Sequence, residues 1–100
     1  MSQSADEIEI EREFGLSHSD FFRIFPRIEP GFRRVADRCV ELEREDGRRL
    51  RIEISPEHAR RLGSFSIPFI EITFRFAGWT DQQRVEFFKK FDRAFHKGGG

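Results

Sequence analysis

The stretch from Ser66 to Lys97, SFSIPFIEITFRFAGW followed by TDQQRVEFFKKFDRAFHK, limits the fold more than any other part of this chain. Ile70, Ile72, Phe74 and Phe76 alternate with Glu71, Thr73 and Arg75. Period two puts four large side chains on one face of a strand. Downstream, Phe87, Phe88, Phe91, Ala94 and Phe95 fall within an arc of about 120° on a helix, the width of a core-facing stripe. Thr80 with Gln83 three residues later matches a capping box that opens this helix. Lys89, Lys90, Arg93, His96 and Lys97 occupy its other side and its C-terminal end, where cations suit the helix dipole. A Phe-faced helix folding back onto a Phe-faced strand is a core.

The rest of the chain supplies partners for that unit. Glu7–Phe14 alternates Ile8, Ile10 and Phe14 with four glutamates, so a strand is expected there. Arg12 interrupts its apolar side. Ser17-His18-Ser19-Asp20 reads as a helix start, and Phe21, Ile24, Phe25 and Ile28 then share one face. Pro26 lacks a backbone donor, so the helix should be short or kinked. Phe32–Arg44 and Arg48–Ser55 flank Glu45-Asp46-Gly47 as a hairpin. A three-residue loop with Gly47 in the left-handed position pairs Leu42 with Leu50 and Val40 with Ile52. The same register sets Glu41 against Arg51 and Glu43 against Arg49 on the opposite face, so both faces favour it. Arg38 is the misfit of this arrangement. Ser55-Pro56 reads as a cap followed by proline at the first helical position, which opens a short helix ending near Leu62-Gly63.

The expected order is therefore β-α-β-β-(short α)-β-α in one domain spanning residues 1–100, with loose ends at residues 1–5 and 98–100. The fold class is α+β, a two-layer arrangement with a four-stranded, mainly antiparallel sheet and helices on one face. Its first six elements resemble the ferredoxin-like order, with a C-terminal helix added. If the short helix is only a connection, the order is βαβββα.

Composition excludes more functions than it suggests. Acidic and basic residues balance at 18 each, so net charge gives no general pull toward nucleic acid or an anionic membrane. One cysteine, Cys39, precludes an internal disulfide. No apolar run is long enough to span a bilayer and no secretory leader is visible, so a cytoplasmic protein is the expectation. His18, His58, His96 and Cys39 fall on four different elements at no ligand spacing, so neither metal nor cofactor is expected. Cys39 is the one candidate nucleophile, yet it falls on the charged sheet face near Arg51 and Glu53 without a base. The terminal Gly98-Gly99-Gly100 resembles the Gly-Gly tail of ubiquitin-like carriers, but only in those residues, and it opens no helix as a phosphate loop would.

Two binding readings remain. Trp79, Phe65 and Phe69 lie outside the faces that fill the core and are the candidates for a protein contact, either with a partner or with a second copy in a homodimer. The alternative is an RNA- or DNA-binding domain acting through Lys89, Lys90, Arg93 and Lys97 on the last helix. The α-β-β-β-α run from Ser17 to Lys97 resembles double-stranded-RNA-binding domains in element order. It differs where those domains carry lysines at the start of the last helix, since Thr80-Asp81-Gln82-Gln83 stand there. The reading preferred from sequence is a small non-catalytic protein-interaction module.

Overall fold

The computed structural model describes residues 7–99, with side chains as far as Phe95. Six strands and two helices follow in the order β1 (Glu7–Phe14), α1 (His18–Ile28), β2 (Arg33–Ala36), β3 (Cys39–Glu43), β4 (Arg49–Ile54), β5 (His58–Leu62), β6 (Phe65–Ala77) and α2 (Asp81–Gly99). Every strand pairing is antiparallel. The main sheet runs β1-β6-β4-β3-β2, and β5 pairs with the leading half of β6. The α+β class is as expected, whereas the sheet has six strands instead of four.

Both extra strands replace misread segments. Phe32–Arg44 is not one strand: it folds at Asp37-Arg38 into the hairpin β2–β3, with a bulge at Val35. Arg38 was out of place because it sits at that fold, where its Nε donates to the Ile54 carbonyl. The expected short helix at Ser55–Leu62 is absent. Ser55 caps nothing there. Its hydroxyl donates to the Pro56 carbonyl and accepts from the Glu71 amide of β6, tying the chain beside that strand. A helix over 57–62 would have offered Leu62 as its only large apolar side chain, whereas pairing with β6 satisfies the backbone.

Where apolar periodicity was clear, the structure follows it. The β3–β4 register matches Leu42 with Leu50, Val40 with Ile52, Glu41 with Arg51 and Glu43 with Arg49. Gly47 takes a φ of 96°, which a side chain would strain. Ser17 and Asp20 form a reciprocal capping box, and α1 carries Pro26 inside its last turn. Thr80 and Gln83 cap α2 in the same reciprocal way. The expected loose end at residues 1–5 and the last residue, Gly100, lie outside the described residues.

The core lies between one sheet face and the two helices. Phe91 is fully buried, with its ring 4.3 Å from Phe95, 5.2 Å from Phe74 and 5.3 Å from Phe14. Phe21 of α1 stacks on Phe95 of α2 at 5.5 Å, so the helices share one aromatic layer. Arg12, the misfit of β1, extends over the Phe88 ring at 4.0 Å and ion-pairs Asp92 at 2.9 Å. Its stem covers apolar surface while the charge links the edge strand to α2. Glu29 at the end of α1 is buried and is held by Arg44 in a bidentate pair at 3.0 and 2.9 Å. A buried carboxylate needs such partners.

Candidate interaction surface

β6 is thirteen residues long, and its two ends meet different surroundings. Ile72–Ala77 lies between β1 and β4, with its even-numbered side chains under the helices. Phe65–Phe69 extends past the end of β1 and pairs with β5 alone. The result is a two-stranded arm, residues 58–69, closed by Gly63-Ser64 between the paired Leu62 and Phe65. Gly63 has a φ of 62°, as the first central residue of a II′ hairpin turn requires. The molecule measures 53 Å along its longest axis and 25 Å along the others.

The arm has one apolar face. Pairing and alternation put His58, Arg60, Leu62, Phe65, Ile67 and Phe69 on the same side. Phe65 is 71% exposed, Leu62 53% and Ile67 41%. Phe69 at the base is half-buried, with the His58 ring 5.1 Å away and the Arg60 guanidinium 4.5 Å from its centroid. This face continues the open face of the main sheet, because Arg60 reaches Glu13 of β1 at 2.9 Å.

Beyond the arm, that open face is a compensated charge lattice. Arg33, Glu41, Arg51, Glu53, Arg75 and Glu9 alternate in sign across five strands. Successive contacts are 3.4, 2.6, 3.0, 3.4 and 3.8 Å. Cys39 lies within it, opposite Glu53 and buried. Burial pushes its thiol above the ordinary range; Arg51 pulls the other way, and Glu53 and Glu41 add to the rise. A reactive thiol needs the opposite shift. His18 bonds the Ser55 carbonyl at 2.7 Å and His58 stacks on Phe69, so neither ring approaches it as a base. Among the described residues no three His, Cys, Asp or Glu side chains gather as a metal site, and no helix is long and apolar enough to cross a membrane.

The sequence candidates divide between two places. Phe65 and Phe69 come together on the arm, joined there by Leu62 and Ile67. Trp79 does not join them. It sits at the far end of β6 and is only 6% exposed. Its indole N–H donates to the Arg49 carbonyl at 2.9 Å and its ring meets Phe76 at 5.0 Å. The structure therefore removes Trp79 from the candidate surface and places it in the core. Arg84 donates to the Trp79 carbonyl, while the Arg48 guanidinium lies 4.7 Å from the ring. The signal for Leu62 and Ile67 was present: Gly-Ser between apolar residues is a hairpin turn, masked by the helix-like Ser55-Pro56.

Lys89, Lys90 and Arg93 line a groove of about 420 Å³ beside α2, together with Arg44 and Arg48 from the ends of β3 and β4. Trp79 and Phe87 contribute to its lining. Arg44 is committed to Glu29 and Arg48 to Asp46, and Lys90 also approaches Glu29 at 3.6 Å. The Lys97 side chain lies outside the described residues. Comparison with protein-family models, with curated proteins and with solved structures finds no match for the chain.

Proposed function

We propose that this chain is a non-catalytic protein-interaction module that makes its contact through the apolar face of the arm. The observation that carries this reading is the segregation of exposed apolar side chains. Of the five large ones among the described residues, Leu62, Phe65 and Ile67 share one face of the arm, while Val35 and Val85 stand apart. Isolated exposed residues are ordinary, but a clustered patch marks a contact site. A two-stranded ribbon is also marginal in water by itself, so a partner on this face would stabilise it.

The test is photo-cross-linking from position 65, with position 85 on α2 as the control. Adducts from 65 alone, whether to a second copy or to another protein of the source cells, are expected. An arm that cross-links to nothing sinks the reading.

A second reading rests on the groove. It gathers Lys89, Lys90 and Arg93 with Arg44 and Arg48 from the turn between β3 and β4, which is the arrangement an RNA- or DNA-binding domain would use on this helix. Binding would then weaken steeply with salt and be lost in Lys89→Glu/Lys90→Glu/Arg93→Glu. Retained binding in that variant would end it.

A further inference from the structure

We propose that the occupant of the arm is the arm of a second copy, laid face to face and antiparallel about a two-fold axis between Ile67 and Phe69. This rests on the interaction reading above and specifies its partner.

The first step is that the edges of the arm are guarded while its face is not. β5 carries the exposed Arg60 and Arg61 along its free edge, and charged side chains there discourage added strands. On the other edge, the Pro68 carbonyl points toward Gly15 at the end of β1. In an antiparallel strand a residue's N and O point the same way, so proline removes a donor from that edge. Edge pairing is therefore disfavoured on both sides, whereas Leu62, Phe65 and Ile67 stand unprotected on the face.

The second step is the order of groups along that face. From tip to base it reads Leu62 and Phe65, then Arg60 beside Ile67, then His58 beside Phe69, then Glu71. Glu71 is exposed and has no ion pair among the described residues, and Arg60 has one carboxylate partner, Glu13. A two-fold axis reverses this order. It sets Arg60 of each arm over the His58–Phe69 pair of the other, about 7 Å along the strand from Glu71, which an arginine side chain can span. Ile67 of each arm then covers Phe69 of the other, and the tip residues Leu62 and Phe65 lie over its Glu71. A face carrying a cation and an anion in this sequence complements itself, as an isologous contact requires.

The third step sets the strength. The paired arm is about 17 Å long and 10 Å wide, far short of the ~800 Å² per partner of a standard stable interface. The dimer should therefore be weak, forming over tens to hundreds of micromolar, and salt should loosen it because its ion pairs are exposed.

The experiment is sedimentation equilibrium of the intact chain across that range. The expected result is a rise from 11.9 kDa toward twice that mass. Phe65→Ser and Leu62→Ser, each checked for folding by circular dichroism, should hold the mass at the monomer value. Arg60→Glu and Glu71→Arg should each do the same alone, and an equimolar mixture of these two should regain the dimer. A dimer that persists in both apolar variants uses another surface and overturns the inference. So does a mixture that stays monomeric while the wild type associates. A wild type that is monomeric to about 1 mM overturns it as well. In that case adducts to another protein from position 65 would leave the interaction reading standing, and the absence of any adduct would remove both.

Discussion

One strand supplies the most informative contrast in this molecule. Over Ile70–Phe76, β6 buries Ile70, Ile72, Phe74 and Phe76 completely, while a few residues earlier Phe65 is 71% exposed. Both stretches alternate large apolar side chains with polar ones. What differs is the cover. Ile72–Ala77 has a strand on each side and two helices beneath, whereas Phe65–Phe69 has β5 alone. The strand outruns its layers. Faces also alternate along β6: the side chains that are buried in the body are even-numbered, and its apolar ones in the arm, Phe65, Ile67 and Phe69, are odd-numbered. The arm's apolar face thus belongs to the solvent side of the sheet, where the body carries charges. The body is stabilised from within, while the arm holds apolar surface in reserve.

That contrast can be broken from the body first. Phe91→Ala removes the ring that meets Phe14, Phe74 and Phe95, and should cost about 3–5 kcal/mol in urea unfolding. A loss below about 1 kcal/mol would mean the aromatic layer is not the structural centre. Glu29→Ala comes next. It strands Arg44, whose side chain is 31% exposed, so the loss should be about 2 kcal/mol, less than for a fully buried pair. An unchanged midpoint would show that water replaces the carboxylate freely.

Acid provides a smaller effect at the turns. The Arg23 side chain, with further bonds from Ser17, holds the Asp20 carboxyl below its ordinary value, and the Arg48 amide does so for Asp46. Folded chains therefore bind these protons less readily than unfolded ones. The resulting stability is complete above about pH 4 and is lost as pH falls through the lower folded values. Asp20→Asn with Asp46→Asn should flatten thermal midpoints in that window and leave the profile near neutrality parallel. An unaltered acid slope would show that other carboxylates control it. The smallest effect belongs to the arm. Phe65→Ser with Ile67→Ser should shift the monomer's unfolding free energy by no more than about 0.5 kcal/mol. A loss of several kcal/mol would place the arm in the core and erase the distinction.

Much of the body was legible because its signals are local. The capping boxes at Ser17 and Thr80 are fixed by residues three apart. The β3–β4 register is set by a short loop whose two faces agree. The aromatic stripe of α2 follows from a period of 3.6. The candidate surface was half legible: Phe65 and Phe69 stood outside the core pattern, but so did Trp79, which the fold buries. An aromatic residue between a strand and a helix carries no periodicity, so only the approach of Arg49, Phe76 and Phe87 assigns it to the interior.

By itself, the sequence determined an α+β chain with a Phe-built core between a long strand and a terminal helix, because hydrophobic periodicity and capping act within a few residues. Only the tertiary structure decided that Ser55–Leu62 is a strand and that Arg12 bridges to Asp92. It alone showed that β6 extends beyond the elements covering it. Those outcomes depend on which groups lie opposite one another after folding, and contacts between residues up to 80 positions apart leave no periodic mark in the chain.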